Sequence, residues 1–205
     1  MPSLLDLVIP AQCLGCGRIE ARICQKCNDE LAQNPRLVSR LGLHGFAATD
    51  YSENVRGVIR SFKELGESAL AKPLASRMAT LVSCFHESQI TLTAIPSNRR
   101  SSLERGFNPA ELLAREIQGI HPEYGFRRLL RKSRDTRDQS QLRPGERLLN
   151  LQGSMVAEVG YLNVVVVDDI ITTGSTMKAA AEAIQHAGHR FVGFVAFAET
   201  ESKKV

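Results

Sequence analysis

Residues 161–198 constrain the fold more than any other part of the chain. Residues 161–167 read as an apolar strand of the kind buried on both faces, ending in four consecutive valines, Val164, Val165, Val166 and Val167. Ser175 begins a helical stretch, STMKAAAEAIQHAG, which Gly188 stops as a left-handed cap. A second apolar strand, FVGFVAFA, follows at 191–198. Two buried strands joined through one helix run parallel, with the connection expected to be right-handed. The fold class is therefore α/β, a parallel sheet flanked by helices.

The first strand runs straight into Asp168 and Asp169, then into Thr172, Thr173, Gly174, Ser175 and Thr176. Two adjacent like charges repel and resist burial. In open parallel sheets, ligands bind beyond the carboxyl ends of the strands, where these residues fall. A loop of small hydroxyl residues entering a helix N-terminus can aim several N–H groups and hydroxyls at one phosphate. Gly174 lets the backbone come close. Carboxylates are poor partners for phosphate but good acceptors for neutral hydroxyls. A ribose 5-phosphate offers both halves. Neither G-x-x-x-x-G-K-[ST] nor G-x-G-x-x-G occurs in the chain, which removes the P-loop and dinucleotide alternatives. The bland alternative, a strand ending in an ordinary polar turn, does not explain two adjacent acids followed by this loop.

Cys13, Cys16, Cys24 and Cys27 form two C-x2-C pairs separated by seven residues. Each pair places two thiolates across a tight turn, and Gly15 and Gly17 ease it. Two pairs complete a tetrahedral four-sulfur site for structural zinc. Two disulfides are the alternative, and a reducing compartment weighs against them. The spacing predicts a compact zinc knuckle over 1–30 and a second domain over 31–205. Cys84, ending an apolar helical stretch, is expected to be a buried small hydrophobe.

Elsewhere the pattern predicts a strand at 44–50, helices near 52–64 and 73–84, and a buried strand at 91–95 closed by Pro96. SNRRSSLERGFNP reads as a loop. Asn108 and Pro109 read as the N-cap and first turn of a helix reaching about Gln118. No apolar run approaches the ~20 residues that span a bilayer, so no membrane insertion is expected. MPSLLDLVIP lacks a basic start and carries Asp6, a poor signal peptide, so the expected location is cytoplasmic. The net charge of +4 is uneven: Arg127, Arg128, Arg131, Lys132, Arg134, Arg137, Arg143 and Arg147 face only Asp135, Asp138 and Glu146. That segment is either a solvated face or a surface for a phosphate-rich partner.

VVVVDDIITTGST resembles the phosphoribosyl-diphosphate (PRPP) signature of the type I phosphoribosyltransferases. With the cysteine knuckle, Arg105-Gly106-Phe107-Asn108, and the later Thr136, Gln139, Arg147, Asn150 and Gly153, the chain resembles the ComF family of competence-associated proteins. Pro109 and Met155 stand where that family often has Gln and Phe. The resemblance implies the type I phosphoribosyltransferase fold with a small N-terminal four-cysteine zinc knuckle. It implies that Asp168 and Asp169 hold the ribose hydroxyls and that 172–176 hold the 5-phosphate. It further implies that Pro96, Ser97, Asn98, Arg99 and Arg100 form the diphosphate loop, with Mg²⁺ carried on the diphosphate. The RGFN stretch would close over the reacting centre, with Arg105 a catalytic residue at the diphosphate. Lys63 resembles a family lysine near the site, and reads equally as a surface helix lysine. The scattered histidines receive no role.

Three functions fit this reading. One is a transferase moving ribose 5-phosphate from PRPP to a nucleophile. The second is a non-catalytic factor binding PRPP or a ribonucleoside 5′-phosphate. The third acts in DNA uptake, with single-stranded DNA or competence-machinery proteins as partners. Fold and motif do not separate binding from turnover.

Overall fold

The four valines sit where their pattern requires, on a strand with both faces covered. In the computed structural model, which describes residues 11–32, 35–133 and 154–200, they lie on the strand Asn163–Ile171 and have no exposed surface. In chain order the elements are α1 (Gln25–Leu31), β1 (Arg36–Arg40), β2 (Leu43–Asp50), α2 (Glu53–Glu64), α3 (Ala71–Val82), β3 (Ile90–Ala94), α4 (Arg99–Arg105), α5 (Pro109–Ile120), β4 (Gly125–Phe126), β5 (Leu130–Lys132), β6 (Met155–Ala157), β7 (Asn163–Ile171), α6 (Ser175–His186) and β8 (Arg190–Glu199).

Six strands form one sheet in the order β1-β2-β8-β7-β3-β4. All its pairings are parallel except β1 with β2, which form an antiparallel hairpin. Val165, Val167, Val195 and Phe197 pack with α2, α3 and α5 through Phe62, Met78 and Leu113. Val164, Val166, Phe194 and Ala196 pack with α6 through Met177, Ala180 and Ile184, and with the small antiparallel β5–β6 pair through Leu130 and Met155. Adjacent residues on one strand thus enter different cores, which is why the apolar run is continuous rather than alternating.

The helix ends follow the local chemistry. Ser52 caps α2 by accepting from the Val55 N–H at 3.3 Å. Asn108 caps α5, its Oδ1 accepting from Ala110 N–H at 3.0 Å, with Pro109 in the first turn. At the end of α6, the His189 N–H reaches Ile184 O and the Gly188 N–H reaches Gln185 O, with Gly188 at φ +90°. This is the Schellman arrangement that only glycine enters without strain.

Three boundaries differ from the sequence expectation. β7 continues through Asp168 and Asp169 to Ile171, so the acids lie on the strand and the connecting loop shrinks to 172–174. The expected loop after β3 contains α4. Leu103 there is 75% exposed, so the helix has no apolar stripe for periodicity to reveal. Cys84 is exposed rather than buried. It lies on the 3-10 turn Ser83–Phe85 beyond α3, where the tighter winding turns it off that helix's buried side. Residues 134–153, with Thr136, Gln139, Arg147, Asn150 and Gly153, lie outside the described residues.

Asn108 does more than cap. Its Nδ2 donates to Ile95 O at 3.0 Å, tying the start of α5 to the end of β3. Asn108→Ala should lower stability by about 1–2 kcal/mol, the usual loss for a cap. Asn108→Asp keeps the cap acceptor but not the donor and should fall between. Urea denaturation of the three proteins checks the order.

Candidate functional site

Asp168 and Asp169 stand at the carboxyl-side end of β7, and among the described residues one cation is ion-paired with them. Lys63 Nζ, from the last turn of α2, lies 3.0 Å from both Asp169 oxygens. Burial opposes the Lys63 charge, but Asp169 and then Asp168 outweigh it, and the ammonium titrates above its ordinary value. Among the described residues Asp168 has no such partner. Its Oδ1 accepts from the Asp169 N–H at 2.9 Å. Burial first, and the Asp169 charge second, push its carboxyl up to about 8. Lys63 thus pairs directly with Asp169, while the Asp168 carboxyl holds its proton to higher pH. A poised carboxyl at a strand end suits a ligand hydroxyl or a cation, either of which would restore its charge.

The RGFN segment is anchored beside them. Arg105 Nη1 donates to the Lys63 carbonyl at 2.9 Å, closing the C-terminal end of α2, while its buried Nε has no partner among the described residues. Phe107 lies 5.7 Å from the Phe62 ring, and Asn108 holds β3. Lys63, Arg105 and the two aspartates are thus gathered at one place. The sequence left Lys63 undecided between the site and a surface helix; its ion pair puts it beside the two aspartates.

The loop after β7 is shaped by its backbone. Gly174 has φ +83° and is buried, and α6 begins at Ser175. The Thr173 and Ser175 hydroxyls lie 3.0 Å apart, and Ser175 N–H points to Thr173 Oγ1 at 3.4 Å. Thr172 and Thr173 are exposed. Across the edge, Pro96, Ser97 and Asn98 follow β3, and Asn98 precedes α4 and accepts from Lys132 Nζ. The side chains of Arg99 and Arg100 lie outside the described residues.

One residue had no signal in the sequence. Arg40, at the end of β1, donates from Nε to Thr172 O at 3.0 Å and from Nη2 to Glu199 Oε2 at 2.7 Å. It sits 132 positions from Thr172. No local motif could have shown it.

The basic segment is partly committed to the fold. Arg128 forks onto Glu111 at 2.8 and 2.6 Å, and Arg127 lies 3.7 Å from Glu158. Arg134, Arg137, Arg143 and Arg147 lie outside the described residues. His189 is a buried core histidine, accepting from Leu162 N–H at 3.1 Å and meeting Glu158 O at 2.8 Å.

At the other end of α2 the four cysteines converge. Their sulfurs all lie within 4.8 Å of one another, and all four thiols are free. A tetrahedral zinc with bonds of ~2.3 Å needs sulfurs about 3.8 Å apart, so the donor set fits a structural zinc. Burial opposes the Cys13 thiolate, yet backbone N–H groups of Cys24, Cys16 and Gly15 bring it down to about 6. Burial and the three neighbouring cysteines push Cys27 up. Four thiolates this close need a cation between them. The knuckle rests directly on α2: a Cβ at Gly57 would collide with Gly15 O. Glu30 accepts from Ser52 Oγ at 3.0 Å and Asn54 Nδ2 at 2.7 Å.

The Asp168 environment has a signed consequence for stability. The unfolded carboxyl loses its proton near 3.8 and the folded one near 8, so the native state is increasingly disfavoured between those values. Asp168→Asn should therefore be more stable than the parent, by an amount that grows from about pH 4 and levels off above about pH 8. Urea denaturation across that range tests this; a difference independent of pH would contradict it.

The phosphoribosyl transferase domain family matches residues 102–205, just over half of the chain. The match covers Arg105, both aspartates and the whole 172–176 loop; the cysteines, Arg40, Lys63 and residues 96–100 precede it. A comparison with curated proteins found no match. With the signature loop placed at the end of a parallel strand and the family matched across it, this chain belongs to the phosphoribosyl transferase domain family.

Proposed function

We propose that the protein binds PRPP across the carboxyl ends of β7 and β3 and transfers its ribose 5-phosphate to a nucleophile. The observation that carries this reading is the pair of adjacent aspartates at the end of β7, Asp169 held by Lys63, beside the 172–176 loop and within the matched family segment. Asp168 and Asp169 accept the ribose 2′- and 3′-hydroxyls. The N–H groups and hydroxyls of Thr172, Thr173, Gly174, Ser175 and Thr176 take the 5-phosphate at the start of α6. Pro96, Ser97 and Asn98, with Arg99 and Arg100, receive the diphosphate, and Arg105 adds positive charge from the side of α2. Mg²⁺ bound with the diphosphate would supply charge neutralisation there. Lys63 orients Asp169 through its ion pair. As diphosphate leaves, positive charge grows at the ribose C1, and the two carboxylates below the ring stabilise it.

The four-cysteine cluster is proposed to hold one structural zinc. All four positions are filled by protein, leaving none for catalysis. Together with the RGFN segment it supports a place in the ComF branch and a link to DNA uptake. The pairing of Arg127 and Arg128 with glutamates gives no support to direct single-stranded DNA binding by that part of the basic segment.

Titration calorimetry with PRPP and Mg²⁺ should show binding by the parent. Asp168→Asn and Asp169→Asn each remove charge-assisted hydrogen bonds of ~1.5–3 kcal/mol, so affinity should fall roughly 10- to 100-fold. Unchanged binding by both places the site elsewhere. Diphosphate release in the presence of a panel of bases then separates turnover from binding alone.

Metal analysis should give about one zinc per chain, as four thiolate ligands require. Cys13→Ser should lose the metal and speed amide exchange in 11–31 before it affects PRPP binding. A folded, metal-free protein with the four cysteines in two disulfides would reject the zinc reading.

A further inference from the structure

Arg40 belongs to the β1–β2 hairpin, outside the matched family segment, yet it touches the 172–174 loop more closely than any other distant side chain described above. Its side chain is only 13% exposed. Its guanidinium is almost fully used: Nε to Thr172 O at 3.0 Å, Nη1 to Ser39 O at 2.9 Å, and Nη2 to Glu199 Oε2 at 2.7 Å and Thr200 O at 3.0 Å. Glu199 is itself buried and also paired with Arg36 at 2.5 Å. The loop comes so close that a Cβ at Gly174 would lie 2.5 Å from Arg40 Cβ.

The direction of these bonds matters. In a trans peptide the C=O of one residue and the N–H of the next point in opposite directions. No peptide bond among the described residues is cis. Holding Thr172 O against Arg40 therefore turns the Thr173 N–H away from Arg40, to the loop's other side. A phosphate nest needs its N–H groups convergent and its carbonyls turned away, because a carbonyl oxygen repels phosphate. With four donor contacts spent on protein acceptors, Arg40 has little left to offer a ligand directly.

We infer that Arg40 is a positioning residue for phosphate recognition: it clamps the Thr172 carbonyl on the rear of the loop so that the Thr173 N–H faces the 5-phosphate. This rests on the reading of 172–176 as the 5-phosphate loop. Glu199 orients the clamp, and the absence of a side chain at Gly174 lets it close.

The clamp is tested first without ligand. Amide exchange at 173–176 should be faster in Arg40→Lys, whose single ammonium cannot reach Thr172 O, Glu199 and Thr200 O together; unchanged exchange overturns the inference. Binding is then measured with ribose 5-phosphate and, separately, with magnesium diphosphate. Losing one charge-assisted contact behind the loop should weaken ribose 5-phosphate roughly tenfold in Arg40→Ala, less in Arg40→Lys, and leave diphosphate unaffected. Equal losses for both probes, or none for ribose 5-phosphate, overturn it. Should Arg40→Ala fail to fold, Arg40→Lys carries the comparison. A parent protein that binds neither PRPP nor ribose 5-phosphate instead rejects the functional reading, while the exchange experiment still judges the clamp.

Discussion

The ion pair between Lys63 and Asp169 holds the candidate site together. It is the place where a helix from the first half of the chain meets the central strand of the second. α2 begins against the cysteine knuckle, through Ser52, Asn54 and Gly57, and ends at Lys63, whose carbonyl receives Arg105. One helix of 12 residues thus joins the knuckle, the RGFN segment and the aspartates. Removing the Lys63 charge would leave two carboxylates at one strand end with no counterion, and a buried unpaired charge is among the most costly defects a fold can carry.

That single cation settles only half the repulsion. Asp169 is paired and Asp168 is left with its carboxyl raised. The native state tolerates this because the surrounding packing is otherwise complete: the four valines before the acids are sealed on both faces, and α6 closes on a full Schellman cap. A locally unfavourable charge held in place by a rigid scaffold is what a ligand-binding carboxylate requires. The same logic applies behind the loop, where Arg40 and Glu199 form a buried, nearly saturated pair whose geometry fixes backbone direction rather than offering charge to solvent.

Local chemistry made much of this readable. Caps and breakers such as Asn108, Pro109 and Gly188 act within a few residues and behave as their side chains dictate. The doubled C-x2-C pair brings four sulfurs together because each half is a tight turn. What was hidden had no local signal. α4 lacks an apolar stripe, Cys84 leaves the buried side of α3 because the last turn tightens, and Arg128 is drawn out of the basic segment by Glu111, 17 positions earlier.

The sequence by itself determined the parallel strand, the acids at its end, the small-hydroxyl loop after them and the cysteine cluster, because each is written in residues adjacent along the chain. Only the tertiary structure decided that Lys63 answers Asp169 across 106 positions, that the Asp168 carboxyl is pushed up, and that Arg40 bonds the loop from 132 positions away. Those contacts depend on how helices and hairpins pack on the sheet. Ionic partners chosen by packing leave no periodicity or spacing in the chain to read.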